Sequence, residues 1–424
     1  MRDSDHAESG SSPSRLYLDH AATSWPKAAG VTKAMTDFLT HGGASSSRGN
    51  YGSAQRSDQI VRSLRNLVAT SLDAESDACI SFHSGCTAAL NAIIHGLIGP
   101  DQHVQRGSHC LVSAIEHNAV RRPIVAAARM VDAAVEEIPC DSAGRLQTGE
   151  VLQRIQDHTR LVAISHISNV TGSLQPIDEI GSEIERVNRS RSPEQKIFFL
   201  CDAAQSFGYL PVSATLSHAH AIAVPAHKGC GGPPGIGALY LHSDWHNIIG
   251  TWMQGGTGNR SLDDDMPKSM PDKLEAGTMN LPAMAGWIAA LQSPTSTPLT
   301  RSNSDSDQTE SDESKLSRLS QQLHNSLRSI EGIRVIGNAG PLPIASIDFG
   351  PELPPNDAAA ILDAEFGIEV RSGHHCAGRI HHHLGTESTG TVRLSGGHGT
   401  TSDDIARAVD AVSEIARQLR GLDC

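Results

Sequence analysis

Two charged residues stand where a chain tolerates charge poorly. Asp202 follows the apolar run IFFLC (197–201), and Lys228 comes soon after AIAV (221–224) and opens the stretch KGCGGPPGIG. A charge at the end of a buried strand is expensive unless a partner neutralises it. Other chemistry-bearing residues follow other apolar runs. Cys86 and Thr87 come after ACISF (78–82), at a glycine turn opening a helix. Glu116 and His117 follow CLVSAI (110–115), and Asn169 follows RLVAIS (160–165). Gln205 trails Asp202, and His227 precedes Lys228. A helix N-terminus binds phosphate through free N–H groups and its dipole. An amine can bond a carbonyl cofactor, an acid can keep a pyridine nitrogen protonated, and an imidazole can stack on the ring. The set therefore predicts pyridoxal 5′-phosphate as cofactor, with Asp202 and Lys228 neutralised by it. Singly, Asp202 would pass for a helix cap and Lys228 for a loop lysine. Their recurrence at successive strand ends is what points to a site.

The elements that must position these residues are short apolar runs alternating with helix-length segments. The five runs ACISF, CLVSAI, RLVAIS, IFFLC and AIAV read as buried strands, with TAALNAIIHGLI and TGEVLQRIQDH as amphipathic helices between them. This alternation predicts an α/β fold with a mostly parallel sheet, whose ligands bind beyond the carboxyl ends of the strands. Residues 26–285 read as the large domain and 286–424 as a smaller α/β C-terminal domain, with 15–25 as an N-terminal segment packing with the latter. Residues 1–14 read as a disordered polar tail, and 293–315, low in complexity, as a flexible insertion. A helix follows, with Leu316, Leu319, Leu323, Leu327 and Ile330 on one face. Beyond it, PIASIDFG, IEVRSG and TVRLSGG read as strands and NDAAAILDAEFG as a helix. The last helix starts at TTSDDI, capped by Thr401 or Ser402, and buries Ile405, Val409, Val412, Ile415 and Leu419.

Composition narrows the function further. The formal net charge of −13 argues against nucleic acid as a partner, because phosphate backbones need a basic face. No apolar stretch approaches the roughly 20 residues of a membrane span. With no apolar core near its start, the chain reads as cytoplasmic. Its eight cysteines are scattered and form no CxxC pair, which suits reduced thiols.

The motifs YLDHAATSWPK (17–27), EHNAV (116–120), SNVTGSLQPI (168–177), DAAQSFG (202–208), AHKGCGGPPGIGALY (226–240), LEAGTMN (274–280), RSGHHCA (371–377) and GTVRLSGG (390–397) resemble the class V aminotransferase superfamily. More narrowly they are similar to the cysteine desulfurases, and the short RSGHHC form resembles group II. The resemblance implies the fold type I architecture of pyridoxal-phosphate-dependent transferases, with a seven-stranded sheet. It implies that Lys228 bonds the cofactor, Asp202 pairs with the pyridine nitrogen, Gln205 bonds the ring hydroxyl, and His117 stacks and moves protons. Cys86, Thr87 and His227 would hold the phosphate. Thr278 resembles a residue reaching the phosphate of the other subunit in a homodimer. Asn169 would hold the substrate side, and Arg393, supported by Arg371, would clamp the carboxylate. Cys376 would take sulfur from L-cysteine as a persulfide, releasing alanine. Arg371, His374, His375 and Arg379 would favour its thiolate. The sulfur would pass to an acceptor protein, for iron–sulfur cluster or thiocofactor assembly.

Four places depart from the family pattern. Pro225 stands where the family has Ser or Thr, removing a hydroxyl, and Cys86 replaces a usual Thr. Ala377-Gly378 replaces a frequent Ala-Pro after the reactive cysteine, and SGGHGT replaces a segment with an asparagine near its end. HHCAGRIHHH has metal-ligand residue types, but the resemblance accounts for His375, Cys376 and His381 without metal, so none is expected. Alternatives left open are a selenocysteine lyase, another class V aminotransferase or lyase with Cys376 idle, and a non-catalytic homologue.

Overall fold

The computed structural model describes residues 15–46, 49–258, 262–293 and 311–422. The expected tail (1–14) and residues 294–310 of the expected insertion lie outside the described residues. After a short β1 (Leu16–Tyr17) come β2 (Ile80–His83), β3 (His109–Ser113), β4 (Ala134–Ile138), β5 (Thr159–Ser165), β6 (Phe198–Asp202), β7 (Ala221–Pro225) and β8 (Gly237–Leu241). β2 to β8 form one sheet in the order β2-β8-β7-β6-β5-β3-β4. All run parallel except β8, which is antiparallel to both neighbours.

The apolar runs are continuous because both faces of the sheet are covered. Along β6, Phe199 and Cys201 enter one core while Phe198 and Leu200 enter the other. Ile222 and Val224 of β7 likewise oppose Ala221 and Ala223. The register aligns the carboxyl ends. His83 faces Gly237, Gly237 faces Pro225, and Ser165 faces Asp202. Residues just past β2, β5, β6 and β7 therefore share one edge. β8 also crowds the helix after β2. A Cβ on Gly237 would lie 2.7 Å from the Cys86 nitrogen, so only glycine fits.

β4 and β8 were not among the five strands read from apolar runs. AVEEI carries two successive glutamates and is only partly buried, as suits an edge strand that pairs only with β3. The expected helix TGEVLQRIQDH is shorter, ending at Gln153 before the chain enters β5.

The C-terminal part is built on β9 (Arg334–Ile336), β10 (Ile344–Asp348), β11 (Ile368–Glu369), β12 (Arg371–Gly373) and β13 (Thr391–Ser395). Four form an antiparallel sheet, β12-β13-β10-β9, while β11 pairs in parallel with β1. IEVRSG is thus two short strands in two sheets rather than one. Leu16 and Leu18 share a core with Leu319, Leu323, Leu327, Val392, Ile405, Val412 and Ile415. Two element boundaries differ from expectation. Ser311 caps the helix Asp312–Arg328, so residues 311–315 start that helix rather than ending an insertion. The helix Leu281–Leu291 runs past residue 285 and puts Trp287 and Ala290 into the core under the large sheet. At the last helix, Ser402–Leu422, Thr401 is the cap. Its Oγ1 accepts from the Asp404 N–H (3.2 Å), and the Asp404 carboxylate accepts from the Thr401 N–H (2.9 Å). Among the described residues no helix is long and apolar enough to cross a membrane.

Candidate active site

A cleft of about 680 Å³ opens at the carboxyl edge of the large sheet, against the β12–β13 region. Cys86, Thr87, His117, Asn169, Asp202, Gln205, His227, Lys228, Arg371, Cys376 and Arg393 all line it. Of the expected site residues only Thr278 is elsewhere in its own chain. It lines a neighbouring cavity of about 320 Å³ beside Trp252 and Met253.

At one end of the cleft the Lys228 amine makes no hydrogen bond among the described residues. Burial lowers its pKa, and Asp202 opposes that shift. Asp202 Oδ1 accepts from the Ala204 N–H (2.9 Å) and the Cys86 thiol (3.8 Å), while Oδ2 has no donor among the described residues. Burial, with Asp202 nearby, pushes the Cys86 thiol up, so it stays a protonated donor. The helix Cys86–Leu97 begins here, its first turn free of acidic side chains and its N-cap, Gly85, at φ +140°, open to glycine alone. His117 caps the helix Asn118–Val131, and its Nδ1 accepts from the Ala119 N–H at 3.0 Å. That bond makes Nε2 the protonated nitrogen of the neutral ring, and burial lowers the ring's pKa. Gln205 donates Nε2 to the Ala21 carbonyl (2.9 Å), leaving its oxygen for another partner. His227 Nδ1 lies 3.0 Å from Thr23 Oγ1, and burial brings the ring down to about 4.

At the other end Arg393 is only 1% exposed. Its Nη2 pairs with Asp19 (2.7 Å), Nη1 donates to the Asn169 carbonyl (2.9 Å), and Nε is buried without a partner among the described residues. Arg371 stands 3.8 Å from the same Asp19. The Asn169 side chain donates to the His375 carbonyl at 2.6 Å.

Cys376 is the one exposed cysteine among the described residues. It and His375 have φ of +57° and +49°, a conformation that non-glycine residues seldom adopt. The Asn118 N–H donates to the Cys376 carbonyl at 2.7 Å. His375 shares a hydrogen bond with Thr391 Oγ1 (2.9 Å), and burial drives its pKa down to about 2. His375 is therefore neutral, and Arg379 is engaged by Glu137 at 2.7 Å, so neither supplies the free positive charge expected beside the thiol. His374 Nε2 lies 2.9 Å from the Glu387 carbonyl, and neither His374 nor Arg379 lines the cleft, whereas Arg371 does. Among the described residues no group of three His, Cys, Asp or Glu could hold a metal ion.

Sequence reasoning missed Asp19 and Trp252, and gave Glu116 no role. Asp19 had a signal, an acid after the apolar LYL of β1 and its extension. Trp252 sits in a loop with none. Glu116 is 1% exposed and receives the Ser165 N–H (2.6 Å), the Ser165 hydroxyl (2.7 Å) and the Ser113 hydroxyl. Burial pushes its carboxyl up to about 8.

A helix start, a buried acid, an amine and an imidazole at the strand ends of such a sheet define a class of protein. The aminotransferase class-V family model matches residues 16–408, and the chain belongs to that family. Within it the chain is 31% identical to a probable cysteine desulfurase of Methanothermobacter thermautotrophicus, covering 95% of this chain and 94% of that one. It is 29% identical to the cysteine desulfurase CsdA of Escherichia coli, over 95% and 94% of the two chains. The apo structure of a cysteine desulfurase from Thermococcus onnurineus NA1 superposes with a TM-score of 0.83 at 27% identity, over 95% of each chain. The CsdA crystal structure, titled as its S-sulfonic acid, gives 0.80 at 27% identity, over 96% and 95%.

Proposed function

We propose that this protein is a pyridoxal-phosphate-dependent cysteine desulfurase that converts L-cysteine to L-alanine and keeps the sulfur as a persulfide on Cys376. The observation that carries this reading is a single cleft holding Lys228 and Asp202 at one end and an exposed thiol on a pinned turn at the other. The residues present fit the cofactor. Lys228 has an uncommitted amine, Asp202 an uncommitted oxygen, and a glycine-opened helix N-terminus faces the same space. Bound there, pyridoxal phosphate supplies an electron sink for bonds at the carbons of the amino acid. Lys228 would hold it covalently, and Asp202 would pair with its ring nitrogen. Cys86 and Thr87, through the helix start, and His227 would take the phosphate. His117 would stack on the ring and carry a proton at Nε2. Arg393, supported by Arg371 and Asn169, would clamp the substrate carboxylate from the wall of the cleft. Cys376 takes the sulfur. L-cysteine and the Cys376 thiol become alanine and the Cys376 persulfide, so atoms balance without an outside oxidant.

The same reading makes the protein a cytoplasmic homodimer in which Thr278 serves the partner's phosphate site. Exposed Trp252 and Met253 beside Thr278 support it. A monomeric mass in solution at full cofactor occupancy would overturn this. It also takes the large-sheet and small-sheet parts as separate domains, and passes the sulfur to an acceptor protein that comes to Cys376. The direct test is incubation with L-cysteine while alanine and Cys376-bound sulfur are measured together. One alanine per persulfide is expected in the first turnover, and alanine without sulfur on Cys376 would sink the reading.

A further inference from the structure

Glu137 lies on the edge strand β4, outside the cleft, and has no part in the chemistry just described. Its carboxylate gathers three basic side chains: Arg379 at 2.7 Å, His383 at 3.1 Å and Arg121 at 3.2 Å. Arg379 comes from the segment after Cys376, and His383 from the short helix Ile380–Leu384 that ends it. Arg121 comes from the helix Asn118–Val131, whose first N–H grips the Cys376 carbonyl. Glu137 thus ties together both sides of the contact that holds the nucleophile's backbone. That contact carries strain, because two consecutive side-chain-bearing residues sit at positive φ and stay there only if their surroundings over-determine them. Within the segment itself, Ala377-Gly378 offers no ring to stiffen the chain after the cysteine. The carboxylate is only 18% exposed, so solvent screens its pairs less than it would on an open surface.

We propose that Glu137 is a positioning residue for Cys376. By holding Arg379 and His383 against the helix that grips the Cys376 carbonyl, it keeps the strained turn closed over the cleft. The proposal rests on Cys376 being the sulfur acceptor, and one of its two readouts does not depend on that.

The experiment compares the full-length wild type with Glu137→Gln, Glu137→Asp and, from the other side of the pair, Arg379→Ala. The first readout needs neither cofactor nor turnover. Iodoacetamide labelling of Cys376, followed by peptide mass spectrometry, should be several-fold faster in Glu137→Gln and Arg379→Ala and close to wild type in Glu137→Asp. The second is alanine release from L-cysteine. In Glu137→Gln kcat should fall roughly 10-fold with KM unchanged, since a small misplacement of a reacting group is costly. Glu137→Asp, which keeps the charge, should recover most of it. Wild-type labelling together with wild-type kcat in Glu137→Gln overturns the proposal, and so does a lowered melting temperature with both readouts unmoved. If Cys376→Ala releases alanine at the wild-type rate, the desulfurase mechanism falls, while faster labelling in Glu137→Gln still supports the anchor.

Discussion

At the Lys228 end of the cleft, each chemical group follows a buried strand, and the sheet register sets where it stands. At the Cys376 end, the exposed thiol sits on an irregular turn at positive φ. It is held by Asn169 on the His375 carbonyl, Asn118 on its own carbonyl, and the Glu137 cluster. The first end is made rigid by burial of apolar surface on two faces, a diffuse term spread over many residues. The second is made rigid by a few polar contacts, each separable by one mutation. Under the proposed function the difference fits the chemistry, since an electron-sink cofactor would need a fixed, dry seat and a thiol that passes on sulfur an exposed one.

The largest effect should come from breaking the sheet end. Lys228→Ala should bind the cofactor without a covalent link and lose roughly 10³-fold or more of alanine release, the scale expected for a lost nucleophile and proton carrier. Borohydride reduction of the wild type should leave a pyridoxyl group on the peptide containing Lys228. A label on another lysine would refute the assignment.

Breaking the other end should separate chemistry from binding. Cys376→Ala should keep the cofactor absorbance, because no residue proposed to hold the cofactor is altered. It should lose persulfide and about 10²-fold or more of alanine release. Alanine release from L-cysteine at the wild-type rate would show that Cys376 is idle.

The smallest effect sharpens the comparison through pH. Glu116, at the sheet end, has its carboxyl raised to about 8 by burial. A raised acid binds its proton more tightly in the folded chain than in the unfolded one. Its contribution to stability is full below the ordinary carboxylate range and is lost as pH rises towards 8. Each unit of upward shift corresponds to about 1.4 kcal/mol. Denaturant melts at pH 5, 6.5 and 8 should show Glu116→Gln with the flatter pH dependence. Parallel slopes in the two proteins would contradict this.

The two ends also differ in how far the sequence revealed them. β2, β3, β5, β6 and β7 were legible because doubly covered strands are unbroken apolar runs. β4 was not, since Glu136 and Glu137 interrupt AVEEI at an exposed edge. β8 was not, because its start is glycine-rich and its direction reversed. Lys228, Asp202 and His117 could be placed from the strand ends that precede them. Asn169 also follows a strand, but its contact with the His375 carbonyl and that of Arg393 with the Asn169 carbonyl span 206 and 224 residues, which no local pattern encodes. A separation of 242 residues likewise hid the pairing of Arg379 with Glu137.

The order of the large sheet also bears on how the chain is made. β2 has a single strand partner, β8, and Ile80 pairs with Tyr240. During synthesis β2 leaves the ribosome long before its neighbour does, with both edges unpaired. Contacts of such long range close slowly and leave strands open to association in the meantime. The helix start at Cys86 and the loop bearing Lys228 meet only when β8 slots between β2 and β7, so the proposed cofactor seat is completed by one of the latest pairings in the sheet. A nascent chain stopped before residue 237 would carry Lys228 and Asp202 and still have no finished seat to hold them.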